Sequence, residues 1–255
     1  MIVTMPTTCA ALYKSPSQRA RVISENWAER NLFCPACLSD NLSPSPVNTR
    51  AVDFRCPICY QGFQLKAKSS AISNKVLDGA YSALIAALDS DTGPNLFLLQ
   101  YDRVAWSVLN LTLVPHFAFP PSPVECRKPL SAKAQRAGWV GCNIILSRIP
   151  LDARIGVVRG GEPISPGLVR AQYQKLLPLK RVAAPKRGWT LDVLNAVRNL
   201  GKAEFTNADI YTRADELRLQ HPGNRHVIEK SRQQLQVLRD AGFLSHTSRG
   251  SWRLT

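Results

Sequence analysis

Cys34-Pro-Ala-Cys37 and Cys56-Pro-Ile-Cys59, with Val52-Asp53-Phe54 just before the second pair and Phe63-Gln64-Leu65-Lys66 just after it, decide how this chain is read. Two CxxC knuckles separated by 18 residues have the spacing that presents four thiolates to one tetrahedral zinc. A zinc ribbon accounts for Cys34, Cys37, Cys56 and Cys59, but it needs neither Asp53 nor Lys66. In Phe63-Gln64-Leu65-Lys66 apolar and polar residues alternate, so Gln64 and Lys66 leave one side of a strand and Phe63 and Leu65 the other. Val52-Asp53-Phe54 alternates in the same way. If the two segments pair across the knuckle, Asp53, Gln64 and Lys66 converge on one side of a small sheet. A carboxylate and an amide oxygen are hard ligands suited to Mg²⁺, and a neighbouring ammonium can orient a water or stabilise phosphate charge. An ordinary solvated strand face carries the same residues, so the spacing alone leaves both readings open.

Charge narrows the partner. The chain has 255 residues, with 33 Lys and Arg against 18 Asp and Glu, a formal charge of +15 and a pI near 9.9. That excess is the footprint of a polyanion binder. It is spread out: residues 181–255 hold 13 basic and 7 acidic side chains. No apolar run approaches the length of a membrane span, and the first residues lack the pattern of a secretory signal. Seven cysteines, of which Cys9, Cys126 and Cys142 stand alone, fit a reducing cytoplasm better than a disulfide scaffold.

Along the chain, residues 16–30 read as an amphipathic helix with Ala20, Ile23 and Trp27 on one stripe, followed by the cysteine-bearing hairpin. Ser73 or Asn74 is expected to cap a helix running to Leu88; Asn95–Tyr101 and Trp106–Val114 read as strands. Five prolines between 115 and 129 predict a loop laid over the core, carrying Arg127, Lys128, Lys133 and Arg136. Trp139, flanked by Gly138 and Gly141, is either a displayed indole or a core residue. Ile144–Ile149 and Arg154–Val158 read as closing strands of an α/β core.

Lys180–Gly188 reads as a basic linker, which puts the domain boundary there: residues 1–180, then 181–255. In the second part, helices at 191–200, from Thr206 or Asn207, and at 224–241 precede a hairpin around Ser248-Arg249-Gly250. Three helices and a terminal hairpin make a winged helix, a module used for DNA and for protein contacts. Asn224, Arg225, His226, Lys230 and Arg232 fall at the leading end of its third helix, and Arg249 at the wing tip, the positions that meet a groove and a phosphate.

With these parts in order, the chain closely resembles the DpnI-type methyl-directed restriction endonucleases over essentially its whole length. The matching strings are Tyr13-Lys-Ser with Ser17-Gln18 and Ala20-Arg21, the knuckle at 34–37, Ala51-Val52-Asp53-Phe54, Leu65-Lys66, Asp78-Gly-Ala-Tyr81, and Arg127-Lys-Pro-Leu130. They continue with Arg136-Ala-Gly-Trp-Val-Gly-Cys-Asn143, Arg187-Gly-Trp-Thr190 and residues 232–240. The resemblance implies a PD-(D/E)xK nuclease core carrying a zinc ribbon, followed by a winged helix. It implies Mg²⁺-dependent cleavage of both strands of DNA at GATC carrying N6-methyladenine, with no obligatory protein partner. It assigns Asp53, Gln64 and the Leu65 carbonyl to Mg²⁺ and Lys66 to the reacting water or phosphate; the adenine methyl adds apolar surface in the major groove, and Trp139 is the first choice for the pocket around it. Gln64 stands where the family carries an acid, so either the amide serves as ligand, Glu25 on the first helix compensates, or the site is weakened. A zinc-containing winged-helix regulator that binds DNA without cutting it is the rival reading.

Overall fold

The computed structural model describes residues 1–46, 49 and 52–255; Ala51 of the matching string lies outside the described residues. The strands are β1 Ser43–Pro44, β2 Phe54–Arg55, β3 Gly62–Lys68, β4 Lys75–Ala80, β5 Asn95–Asp102, β6 Ser107–Val114, β7 Val124–Cys126, β8 Gly141–Ile145, β9 Ile155–Arg159, β10 Glu162–Pro163, β11 Glu204–Thr206, β12 Leu244–Ser248 and β13 Ser251–Leu254. The α-helices are α1 Pro16–Asn31, α2 Tyr81–Asp89, α3 Pro166–Lys180, α4 Ala184–Arg198, α5 Asn207–Tyr211, α6 Ala214–Gln220 and α7 Val227–Asp240. They divide into two compact units. One comprises Met1–Ser73, Thr92–His116 and Ala153–Lys175; the other comprises Asn74–Asp91, Phe117–Asp152 and Leu176–Thr255.

The first unit is built on a seven-stranded sheet in the order β1-β2-β3-β5-β6-β9-β10. Only β3 and β5 run parallel, which requires the long connection between them. Leu96–Leu99 of β5 are all buried, as expected of a central strand covered on both faces. Phe63 of β3 stacks on Phe97 of β5 with ring centroids 5.5 Å apart. On α1, Ile23 and Trp27 are fully buried, and the Trp27 indole N–H donates to the Ile2 carbonyl at 2.7 Å. The amphipathic helix and both long strands therefore form where periodicity places them.

The second unit holds two three-stranded sheets, β4-β8-β7 and β11-β13-β12. The helix expected from Ser73 to Leu88 is a strand for its first half. Lys75–Ala80 pairs antiparallel with Gly141–Ile145, and only Tyr81–Asp89 is helical. Helical spacing of Val76, Leu77 and Ala80 was overridden by ladder hydrogen bonds to β8, with an irregularity at Gly79 where the helix begins soon after. The closing strand expected at 144–149 starts at Gly141 and ends at Ile145, giving way to a 3₁₀ turn at Leu146–Arg148.

The basic stretch Lys180–Gly188 is not a linker in conformation. Helix α3 runs to Lys180 and α4 begins at Ala184. Arg187 is buried, pairs with both carboxylate oxygens of Asp91 at 2.7 and 3.1 Å, and donates to the carbonyls of Leu179, Lys180 and Val182. It thus satisfies the C-terminal carbonyls of α3 with a cation, where the helix dipole favours one. Composition hid this, because a buried paired arginine reads like a solvated one. In the winged helix, Thr206 and Asp209 form a reciprocal capping box on α5, and Thr190 of α4 donates to Gln234 of α7. The helix expected at 224–241 starts at Val227, and the short α6, which sequence reading passed over, precedes it.

Candidate active site and nucleic-acid interface

Strands β2 and β3 pair antiparallel with Phe54 opposite Phe63 and Arg55 opposite Gly62, and Asp53 directly precedes β2. The Asp53 amide donates to the Phe63 carbonyl at 2.8 Å, and Asp53 Oδ2 accepts from the Leu65 amide at 2.7 Å. Phe63 is fully buried against Phe97, so alternation turns Gln64 and Lys66 to the other, half-buried side. The result is a carboxylate held against the strand that carries the amide and the ammonium.

Glu25, on α1, is the acid nearest in effect. Its carboxyl is pushed above the ordinary range first by burial, against the pull of Arg21 at 3.9 Å, and further by the charge of Asp53. The charge of Asp53 is thus felt at Glu25, as a like charge disfavours ionisation of a nearby carboxyl.

The four knuckle thiols converge. All four Sγ atoms lie within 4.8 Å of one another, with Cys34–Cys59 and Cys37–Cys56 each at 3.5 Å. Sulfurs about 2.3 Å from a tetrahedral zinc are about 3.8 Å apart, so the donor set fits that ion. Cys34 and Cys56 are buried. Burial pushes the Cys34 thiol up, whereas at Cys56 burial is outweighed by the amides of Cys59 and Ile58, each donating to Sγ at 3.4 Å, and the thiol is lowered to about 6. Among the described residues this is the one group of three or more His, Cys, Asp and Glu side chains able to hold a metal.

What supports the knuckles was missed in the sequence. Arg170 of α3 donates to the carbonyls of Cys34 and Ser39 at 3.1 and 2.9 Å, pairs with Asp40, and lies 5.3 Å from the Phe33 ring centroid. Three residues on, the fully buried Tyr173 hydroxyl donates to Gln61 Oε1 at 2.9 Å, and Asn95 donates to the same oxygen at 3.0 Å. Gln61 sits between the last cysteine and β3, so α3 braces the turn that joins the thiol cluster to the Asp53 and Gln64 pair. The i, i+3 spacing of Arg170 and Tyr173 was the only available signal.

The segment from Phe117 to Pro120 is buried, as expected of a loop laid over a core, but from Cys126 the chain leaves it. Arg127 N–H donates to Gly141 O, Leu130 N–H to Trp139 O and Gly138 N–H to Leu130 O, so β7 and β8 extend into an exposed hairpin arm. Trp139 is half-buried on this arm with the Arg136 guanidinium 5.0 Å from its ring centroid. Its ring lies over Gly141, where a Cβ would meet ring atoms at 2.8 Å. Gly141 is thus the seat of the indole, which is neither fully displayed nor a core residue.

In the winged helix, Asn224 and Arg225 lie in the turn before α7, and His226 is its N-cap residue. Asn224 Oδ1 accepts from the His226 amide at 2.7 Å. Lys230 donates to Gln233 at 2.9 Å, and Arg225, His226 and Arg232 are exposed. Arg249 is exposed at the β12–β13 turn. These cations flank the leading end of α7 and the wing tip, while Val227, Leu235 and Leu238 of the same helix are buried.

Comparison with known families covers both parts. Residues 1–182 match the model described as DpnI, Dam-replacing family, and residues 185–254 match that of DpnI_C, Dam-replacing HTH domain. An endonuclease-like sheet bearing a four-cysteine cluster, continued by a winged helix, is the architecture such a pair of matches requires. From residue 1 to residue 254 the two matches adjoin, and the chain belongs to the DpnI, Dam-replacing family, membership of which implies a methylation-dependent restriction endonuclease.

Proposed function

We propose that the protein is a type II restriction endonuclease that cleaves both strands of DNA at GATC sites carrying N6-methyladenine, using Mg²⁺, in the cytoplasm. Residues 1–180 supply the nuclease and residues 181–255 the winged-helix reader. The observation that supports the hydrolytic reading is the hydrogen bond from the Leu65 amide to Asp53 Oδ2 at 2.7 Å, which keeps the carboxylate against the strand that carries Gln64 and Lys66. A carboxylate tied to the strand that bears an amide and an ammonium favours hydrolysis over binding alone.

Asp53, the Gln64 amide oxygen and the Leu65 carbonyl would hold Mg²⁺, a hard cation that takes oxygen donors. When bound, Mg²⁺ supplies Lewis-acid polarisation of the scissile phosphate and lowers the pKa of a coordinated water. Lys66 would orient the attacking water and offset charge building on the phosphate. Glu25 would offer the negative charge that Gln64 lacks. Cys34, Cys37, Cys56 and Cys59 hold zinc as a closed structural site with no open position for substrate. The winged helix reads DNA through Asn224, Arg225, His226, Lys230 and Arg232, with Arg249 on the backbone. Trp139, seated on Gly141, offers an apolar surface to the adenine methyl group.

The test compares plasmid from an adenine-methylating host with plasmid from a host lacking that methylation, each incubated with protein and Mg²⁺. Cutting of the methylated plasmid alone is expected. Equal cutting of both, or cutting of the unmethylated plasmid alone, overturns the specificity. Tight binding without cutting favours the regulator.

A further inference from the structure

Helix α4 is buried along most of its length. Leu191, Val193, Leu194 and Val197 are core residues, yet Asp192 and Asn195 are buried among them. Asn195 donates to the Ser147 carbonyl at 3.1 Å. Asp192, whose side chain is 1% exposed, accepts from the Ser122 hydroxyl through Oδ1 at 2.5 Å and from the His221 Nε2–H through Oδ2 at 2.8 Å. The His221 ring stacks on Trp189 with centroids 3.8 Å apart and planes 13° apart. His221 is thus gripped at its edge by a carboxylate and on its face by an indole.

A buried carboxylate is expensive even when paired, and an apolar side chain of like volume often serves stability as well or better. What the pairing does supply is a fixed place for His221, the residue at which the turn into α7 begins. His221 caps the C-terminus of α6, its amide donating to the Leu217 carbonyl at 3.0 Å. Its own carbonyl accepts from the Asn224 amide at 3.0 Å, closing a four-residue turn around Pro222 and Gly223, residue types that suit such turns. Asn224 Oδ1 in turn accepts from the His226 amide at 2.7 Å, and Arg225 stands exposed between them. A chain of bonds therefore runs from Asp192 to the leading end of α7. The helix itself is seated by Val227, Leu235 and Leu238, so the clamp acts on the residues before it.

We propose that His221, held by Asp192 and Trp189, is a positioning residue for DNA recognition: it sets the turn that presents Asn224 and Arg225 at the leading end of α7. This rests on the reading of the winged helix as the DNA reader, and adds to it side chains that touch no DNA themselves. Pre-organisation raises affinity without adding a contact, because the conformation that binds is already populated and little ordering is left to binding. Ser122, just before β7 and in the same compact unit, occupies the other carboxylate oxygen, so neither oxygen of Asp192 is left unpaired.

The experiment measures binding of the full chain to a short duplex with one methylated GATC site, with Ca²⁺ replacing Mg²⁺ to prevent cutting, across a range of salt concentrations and beside thermal unfolding. His221→Ala should weaken binding about tenfold, the size of ordering a few side chains anew at each encounter, with the slope of log K against log salt unchanged. His221→Gln, whose amide N–H can reach the same carboxylate, should recover most of that loss. Asp192→Asn keeps the volume and weakens the same bond, so it should move affinity in the same direction by less. Two references frame the result. Arg249→Ala, at the wing tip, should make the slope shallower by about 0.9, as the loss of one phosphate contact does. Asn195→Ala removes a neutral buried bond of the same helix and should lower Tm while affinity stays parental. Parental affinity in both His221→Ala and Asp192→Asn, an equal loss in Asn195→Ala, or a His221→Ala slope that shifts like that of Arg249→Ala overturns the proposal. If the unaltered protein fails to bind the duplex, the endonuclease reading falls and takes the clamp's role with it.

Discussion

The four-thiol cluster and the polar side of β3 sit on the same stretch of chain and could hardly be built more differently. The thiols come in pairs three residues apart, two of them are buried, and their amide donors and the arginine beside them are supplied within the first unit. Asp53 reaches β3 only through the Leu65 amide, and Asp53 and Gln64 are both half-exposed with a single formal charge between them. A site that must hold a metal permanently is closed and rich in charge. A site that must admit a phosphodiester and a water is open and spare. The difference sets a preassembled donor cluster beside a carboxylate that one backbone amide holds to the next strand.

The contrast breaks most visibly at Cys56. Cys56→Ser removes one ligand from a set whose binding energy is folding energy, and should abolish stoichiometric zinc while lowering stability by roughly 3 kcal/mol, about 10 °C in Tm. Elemental analysis and thermal unfolding report both; unaltered zinc content and Tm would show that the cluster is idle. A smaller effect is expected at the brace. Tyr173→Phe leaves Gln61 with one donor fewer in a buried setting and should cost about 1 kcal/mol, read by chemical denaturation, with zinc retained.

The smallest effect is expected in the winged helix. Asp209 is held down to about 2 by the Lys202 ammonium at 2.6 Å and by the amide and hydroxyl of Thr206. A depressed carboxyl contributes stability above its unfolded value near 4 and loses it as pH falls toward 2. Asp209→Asn should therefore lower Tm slightly at pH 6 and converge with the parent at pH 2 to 3, without touching zinc or cleavage. A Tm difference that grows on acidification would contradict the sign.

Much of this was legible beforehand because it is local. CxxC turns, the alternation in Phe63–Lys66, the run Asn95–Tyr101 and the capped winged helix each carry their own signal. What escaped depends on distant partners. Val76–Ala80 is a strand because Gly141–Ile145 offers it a ladder, and Arg187 is buried because Asp91 and the end of α3 meet it. The α3 brace at Arg170 and Tyr173 escaped for the same reason. Within the site, the half-buried side of Gln64 and Lys66 follows from alternation, while the burial of Glu25 near the charge of Asp53 does not.

The most direct test separates the two sites in one protein. In Asp53→Ala, zinc content and Tm should match the parent and methylated DNA should still bind, while single-turnover cleavage in Mg²⁺ falls by about 10³-fold or more, the loss of several kcal/mol of transition-state stabilisation. Gln64→Ala should follow it in direction, and Gln64→Glu should keep cleavage at lower Mg²⁺. An Asp53→Ala protein that cuts at the parental rate, or that loses its zinc together with its activity, would contradict the account.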